Sequence, residues 1–463
     1  MQKILKVNSY PQNTSTECEC YEGAQTYLGI TENNFVEVQL TKETLLDEIL
    51  NSSNLNRAYK QVMRNKGASG VDNMELDKLL PYLRQHNDDL INSLYSGHYK
   101  PNPVRRVEIP KEGGKTRPLG IPTVVDRLIQ QAISQVLTRI YDSSFNDNSF
   151  GFRPKRSCHD ALRRVQRYAN EGCKYAVDLD LEKFFDKVNH SKLIEILSRT
   201  IKDPRLISLI HKYLNAGVLL NQEFAETKEG VPQGGNLSPI LSNIMLNELD
   251  KELSQRGHKF VRYADDCMIL CKSERAAQRV KDSIVEYIEK HLSLKVNKEK
   301  TKVGYIRGLK FLGYSFYMKD NKCRLSLHPK SLSKMKSKLK ELTSRSNGMG
   351  YELRKQKLRL YIQGWINYYK LADMKKHLLR TDEWYKRRLR MCIWKCWKKV
   401  KTKFHNLMKC GIDKQKAWEW ANTRKGYWRI SNSWILACSI TNEKLRLAGY
   451  PNLSDYYRKM YRN

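Results

Sequence analysis

The sequence predicts an α+β fold continued by an all-helical region, on three observations. Short apolar stretches of strand length alternate with helical periodicity from about residue 105 to 318. Beyond residue 330 the strand-like stretches cease, and Lys/Arg-rich helices bearing Trp and Tyr take their place. Of the 463 residues, 40% are hydrophobic, enough for packed cores, and the length suits roughly three domains.

Residues 1–40 are polar and weakly patterned, a leader with no assigned role. From 41 to 94 helical periodicity alternates with the loop "NKGASGVDN" (65–73). "RRVEIPKEGGKTRPLGIPT" (105–123) reads as strand, Gly-rich turn, strand. "DRLIQQAISQVLTRIY" reads as an amphipathic helix with Asp126 in its N-capping region. "KYAVDLDLEKFFDKVNH" (174–190) starts as a buried strand and becomes a helix, and "GVPQGGNLSPILSNIMLNELDKEL" (230–253) is a Gly-rich turn opening a long helix. "FVRYADDCMIL" (260–270) reads as two short strands with a pair of acids at the turn, followed by a helix near 274–291 and the strand-like "LKFLGYSFYM" (309–318). The expected divisions are 1–40, 41–94, 95–325, 330–425 and a tail, 426–463.

Charge indicates the partner. Lys and Arg number 84 against 49 Asp and Glu, a net +35, which points to a polyanion such as nucleic acid. The excess is local: Ser331 to Cys410 holds 23 Lys and Arg against 5 Asp and Glu, whereas a merely solvated helix surface mixes its signs. The 11 cysteines show no paired CxxC spacing of a zinc site. The odd count, with no apolar signal core in "MQKILKVNSY", suits a reducing, cytoplasmic setting, and no run approaches a membrane span.

The acids carry the chemistry. Asp265 and Asp266 sit side by side at the hairpin tip, where Asn-Gly or Asp-Gly is the usual choice. Asp178 and Asp180 lie at a second strand end and share one face by alternation, so periodicity leaves open which of the two is functional. Clustered carboxylates repel unless a cation sits among them, and hard divalent ions with oxygen ligands are the natural candidates. A pair of Mg²⁺ ions about 3.5–4 Å apart is an established device for in-line displacement at phosphorus. A solvated hairpin tip beside an unrelated acid is the plain alternative, and it weakens as the other motifs are added.

Those motifs resemble, in order over about residues 41–463, the group II intron-encoded reverse transcriptase/maturase family, in the compact bacterial type without an appended endonuclease. "NKGASGVD" resembles its N-terminal extension, and "RRVEIPK", "GKTRPLGIPT" and the following "DR" its fingers. "VDLDLEKFFDKVNH", "VPQGGNLSPILSNIMLNELD", "VRYADD", "LKVNKEKTKV" and "LKFLGY" resemble its palm blocks. "LRLYIQGWINYYK" and "RLRMCIWKCWK" resemble its thumb, the maturase-specific region. The resemblance implies a right-hand polymerase with an antiparallel-sheet palm and a helical thumb, making DNA on an RNA template.

By that resemblance Asp180 and Asp265 ligate two Mg²⁺ ions (Mn²⁺ a possible substitute), with Asp266 in support. Phe185 lies against the incoming sugar and excludes a 2′-hydroxyl, although Phe184 could exchange roles with it as a core residue. Lys111 and Arg117, with Arg105 a further candidate, grip the triphosphate; a basic hairpin tip is their bland reading. Pro232, Gln233 and Gly234 form a turn at the base pair, where a residue without a Cβ permits close approach. Lys300 corresponds to a proton donor to pyrophosphate, or is a solvated lysine. Phe311, Leu312, Gly313 and Tyr314 brace the primer end.

In the thumb, Trp365, Trp394 and Trp397 read as core by helical spacing, and Arg387, Arg388 and Lys395 as RNA-phosphate contacts. The implied partners are structured intron RNA, an RNA template with DNA primer, deoxynucleoside triphosphates and target DNA. No histidine follows His405 and no paired CxxC follows the thumb, so a His-dependent, Cys-stapled endonuclease is not expected; the tail could retain a DNA-binding remnant. A splicing-only RNA-binding protein and a reverse transcriptase recruited for host defence are the competing readings.

Overall fold

The computed structural model describes residues 44–110, 114, 116–220 and 223–460. Three helices come first: α1 (Leu45–Leu50), α2 (Ser52–Asn65) and α3 (Leu79–Tyr95). Asn51 separates the first two, its side chain accepting from the Ser53 amide to cap α2. β1 (Val104–Pro110) and β2 (Thr116–Ile121) pair antiparallel, from Arg105 opposite Ile121 to Pro110 opposite Thr116. α4 (Val124–Tyr141) starts two residues earlier than the sequence suggests. Its N-cap is Thr123, and Asp126 lies inside the first turn. There the buried Asp126 carboxylate accepts from Tyr99 Oη at 2.7 Å and the Asn102 amide at 3.2 Å.

The chain continues through α5 (Cys158–Asn170), begun by a Ser157/Asp160 capping box, to β3 (Tyr175–Leu179). Then follow α6 (Phe184–Lys187), α7 (His190–Thr200) and α8 (Pro204–Leu214). The buried Asp203 caps α8 and also accepts from the Leu46 amide at 3.0 Å, tying the first helix to the eighth. β4 (Val218–Leu220) runs parallel to β1 and antiparallel to β5 (Glu223–Ala225), so the fingers sheet, in order β2-β1-β4-β5, is mixed. α9 (Ser238–Gln255) is buried on nearly every side and leads to β6 (Lys259–Tyr263) and β7 (Asp266–Cys271). α10 (Glu274–His291) and β8 (Lys302–Tyr305) complete the palm, a wholly antiparallel sheet in the order β6-β7-β3-β8.

Both faces of this sheet are covered, and alternation assigns the side chains. Val177, Leu179, Cys267 and Ile269 enter one core with helices α1–α4 and α6–α10. Ala176, Val261, Met268 and Leu270 enter a second core that runs into the C-terminal region. That region opens with the small sheet β9 (Lys310–Phe311), β10 (Tyr314–Lys319) and β11 (Lys322–Leu327). The strand-like stretch 309–318 is thus two strands around a turn at Leu312–Gly313.

Helices alone follow: α11 (Pro329–Leu342), α12 (Tyr351–Tyr369), α13 (Lys375–Cys396), α14 (Val400–Lys409) and α15 (Lys414–Ala421). Short helices α16 (Tyr427–Ile430), α17 (Trp434–Ser439), α18 (Asn442–Leu447) and α19 (Leu453–Met460) form the tail. Trp394 is fully buried and Trp365 and Trp397 pack against the same core, as their spacing suggests. The tail shares this core: Asp382 on α13 accepts from the Leu453 and Ser454 amides at 2.9 and 2.8 Å, capping α19. Among the described residues the cysteines are free, and no helix is long and apolar enough to cross a membrane.

Candidate active site

The hairpin tip is anchored from below. Tyr263 pairs with Asp266, leaving Ala264 and Asp265 as the turn, with Ala264 left-handed at φ 57°. A non-glycine residue in that region needs support from its surroundings. Arg262 supplies it, its Nη1 donating to the Ala264 carbonyl at 3.0 Å and to Asn243 Oδ1 at 2.9 Å. The rest of its guanidinium grips Asp250 through two bonds of 2.8 and 2.5 Å. The side chains of Arg262 and Asp250 are 1% and 0% exposed. Asn243 in turn donates to the Gly151 carbonyl at 2.9 Å. A Cβ on Gly151 would lie 2.2 Å from the Ala264 nitrogen, so only glycine fits beneath the turn. Sequence reading missed this support; its one trace is an arginine in the middle of a buried strand, "FVRYADD".

Register brings the two acid-bearing strand ends together. Asp178 is opposite Met268 on one side and Lys302 on the other, and Leu179 is opposite Cys267. One residue further, Asp180 falls across from Asp266. Asp180 is tied to the neighbouring loop by its amide, which donates to Thr301 Oγ1 at 3.2 Å, and its carboxylate meets Lys300 Nζ at 3.1 Å. Asp178 lies within β3, whereas Asp180 stands just past its end, a distinction alternation alone leaves open.

Loss of surrounding water, then repulsion from Asp266 and Asp180, raises Asp178 to about 6. Asp266 is raised to about 6 in the same way, first by loss of water, then by Asp265 and Asp180. Among the described residues, no three acid, His or Cys side chains converge into a ready ion cage. The donor chemistry still fits a hard divalent cation: Asp180, Asp265 and Asp266 carry carboxylate oxygens whose mutual repulsion a cation would relieve. Lys300 contributes one positive charge there.

The residues expected on the nucleotide side form a hydrogen-bonded bridge. Arg117 Nε donates to Gln233 Oε1 at 2.8 Å, and Gln233 Nε2 donates to Asp186 Oδ1 at 2.8 Å. The Gln233 carbonyl accepts from the Gly120 amide at 2.7 Å, so the "PQG" turn joins fingers to palm. Pro232 accepts from Ser238 Oγ at 2.6 Å, which fixes the turn to the start of α9. Gly234, at φ 112°, would place a Cβ 2.5 Å from the Gly120 carbonyl. The close approach that glycine permits is therefore to β2, within the protein.

Phe184 is 2% exposed and in the core, while Phe185 is half-buried and edge-on to it at 5.2 Å. The two phenylalanines are thereby separated, and Phe185 is the one with a free surface. Arg105 is half-buried, with its Nε enclosed and without a partner among the described residues. Lys111 lies outside the described residues.

The turn expected to brace the primer is locked to the helices. Phe311 and Tyr314 are buried. The Leu312 carbonyl accepts from Tyr368 Oη at 3.1 Å, and the Gly313 carbonyl from Ser331 Oγ at 2.8 Å. Tyr314 Oη donates to the Tyr368 carbonyl at 2.5 Å.

In the thumb, Arg387 lies 3.7 Å over the Trp428 ring and donates to the Trp428 carbonyl at 3.0 Å. Arg388 caps the end of α11, donating to Thr343 Oγ1 at 2.7 Å and the Lys340 carbonyl at 3.1 Å. These guanidinium groups, expected to face RNA, are committed to holding helices together. Lys395 is half-buried, and Lys336, Lys357, Arg359, Lys375, Lys398 and Lys401 are among the outward-facing cations.

Residues 109–316 match the family "Reverse transcriptase (RNA-dependent DNA polymerase)", and 332–411 match "Group II intron, maturase-specific domain". Fold and site therefore define an RNA-directed DNA polymerase with a maturase-specific helical domain. The chain is 35% identical over 310 residues to Protein YkfC of Escherichia coli (strain K12), spanning 58% of this chain and 81% of that protein. It is 44% identical over 206 residues to group II intron-encoded protein LtrA of Lactococcus lactis subsp. cremoris, 44% of this chain and 34% of LtrA. It is 29% identical over 347 residues to the putative COX1/OXI3 intron 2 protein of Saccharomyces cerevisiae, 62% and 40% of the two chains. This chain belongs to the group II intron-encoded reverse transcriptase/maturase family. The match spans about a third of LtrA's length and most of YkfC's.

The raised carboxyls make the site a source of instability when no cation is bound. Below about pH 4 folded and unfolded chains are both protonated at Asp178 and Asp266, and the pair costs nothing. Between about 4 and 6 the unfolded chain ionises first, so stability falls, and above about 6 the deficit is constant. In divalent-free buffer, Asp178→Asn and Asp266→Asn should melt higher than the parent at neutral pH, with the gap closing toward pH 4. Thermal unfolding across that range checks it; a gap independent of pH would refute it.

Proposed function

We propose that this protein polymerises deoxynucleoside triphosphates on an RNA template from a DNA primer, using two Mg²⁺ ions that Mn²⁺ can replace. Its helical region binds the structured intron RNA that encodes it and promotes splicing, and the RNA is then copied at a DNA target in the cytoplasm. One observation carries the catalytic reading: sheet register and the Arg262 anchor set Asp180 beside a hairpin tip 85 residues further along the chain.

Asp180 and Asp265 would hold the ions, with Asp266 beside them. Bound there, the ions would lower the pKa of the primer hydroxyl and neutralise the departing pyrophosphate. Lys300, released from Asp180, would give a proton to that leaving group. Arg117, with Lys111 and Arg105, offsets triphosphate charge. The exposed side of Phe185 excludes a 2′-hydroxyl. The Phe311–Tyr314 turn, fixed to Tyr368 and Ser331, holds the primer end steady.

Asp265→Asn keeps shape but removes the charge that holds the ions. Primer extension on RNA should disappear while RNA binding persists; extension near the parent rate would refute the assignment.

The Arg117–Gln233–Asp186 bridge gives a second test. Gln233→Glu faces Asp186 with a like charge and should raise the KM for deoxynucleotide about tenfold, the scale of one charge-assisted hydrogen bond. Adding Asp186→Asn restores a donor to Glu and should recover KM to within about threefold of the parent. Steady-state kinetics of the four proteins decides; a double variant no better than Gln233→Glu would show that Asp186 does not act through Gln233.

A further inference from the structure

Helices α14 and α15 form a hairpin at the edge of the thumb. Its inner side buries Leu407, Ala417, Trp420 and Ala421. Its outer side presents Trp418, 58% exposed and edge-to-face with the half-buried Phe404, with centroids at 5.7 Å and planes at 81°. The two rings, with Asp413, Lys414 and Gln415, line an open surface depression of about 430 Å³.

A single exposed aromatic residue is unremarkable on a protein surface. This one differs in being the wall of a concave site, with a second ring set at right angles to it and hydrogen-bonding groups on the rim. It also sits in a dense field of one sign. Residues 398–420 hold seven lysines against two acids, Glu419 and Asp413, and the Asp413 carboxylate is engaged by the Gln415 and Lys416 amides as the cap of α15. Aromatic surface within a basic patch suits a planar, aromatic group attached to phosphates. A base stacked inside a duplex cannot reach such a corner, whereas an unpaired base can.

We propose that the Phe404–Trp418 corner binds one unpaired nucleobase of the RNA held by the helical region. The base stacks on the Trp418 indole against the Phe404 edge, Gln415 offers a donor and an acceptor to its polar rim, and the neighbouring lysines meet the flanking phosphates. The proposal rests on the reading that this region binds RNA, and gives that binding a preference for unpaired positions.

The test uses the full chain, a short RNA duplex carrying a single 2-aminopurine bulge, and the same duplex without the bulge. Trp418 is exposed, so its replacement leaves the core intact. The parent should quench the 2-aminopurine on binding. Trp418→Leu, which keeps apolar surface but no π-face, should abolish the quench and weaken bulged RNA about 5- to 150-fold, the range for one stacked base. Trp418→Phe should retain most of both, and binding of the perfect duplex should be the same in all three proteins. Bulged RNA bound equally by parent and Trp418→Leu would overturn the site. So would an equal loss on the perfect duplex, or a self-association of the parent that Trp418→Leu abolishes, which would make the corner an interface between two copies. A parent that bound neither RNA would overturn both this site and the RNA-binding reading beneath it.

Discussion

The structure turns on a buried ion pair. Arg262 and Asp250 are both out of water, and desolvating two charges is expensive unless each finds its full set of partners. Here they do: two bonds run between them, and the remaining guanidinium donor serves Asn243 and the carbonyl of the left-handed Ala264. The arrangement gives the acidic turn one position relative to α9, the central helix of the palm. A pair of apolar residues could fill the same space but would have no donor to aim at that carbonyl. The pair is thus better understood as orienting the tip than as adding stability.

Around that anchor the two cores divide the labour. One face of the palm sheet packs on helices α1–α4 and α6–α10 and the other on α5 and the thumb, so the acid-bearing strands are clamped from both sides. The thumb is fastened at the Leu312–Gly313 turn by Tyr368 and Ser331, and the fingers at the Gln233 bridge. Motion of fingers or thumb would therefore be felt through a few hydrogen bonds at the rim of the site, while the acids stay fixed to the sheet. The charge excess of the helical region lies on outward lysines, as a surface that grips phosphates without reading sequence requires.

Much of this was legible in the sequence for a physical reason: a sheet covered on both faces needs nearly continuous apolar strands, and acids in or beside such runs stand out. The order of the motif blocks identified the family, and the match to reverse transcriptase and maturase domains agrees. What could not be read were choices made by tertiary contact. Phe184 and Phe185 are adjacent and chemically identical, and only packing decides which one faces out. Asp178 and Asp180 share a face, and only the end of β3 separates them. Arg387 and Arg388 have the composition of phosphate contacts, yet Trp428 and the end of α11 claim them. The start of α4 was displaced because Thr123 outcompeted Asp126 as the cap, leaving Asp126 to bind Tyr99 and Asn102.

The central claim is that Arg262 and Asp250 orient the acidic tip rather than merely stabilise the fold. The most direct measurement replaces both at once, Arg262→Met with Asp250→Leu, and follows unfolding and single-nucleotide extension in the same preparation. Removing a buried pair together is often neutral for stability, so the double variant should unfold close to the parent. With the Ala264 carbonyl released, extension at saturating divalent ion should still fall about 100-fold, the scale of a small misplacement at a reacting centre. A folded double variant that extends at the parent rate would contradict the account.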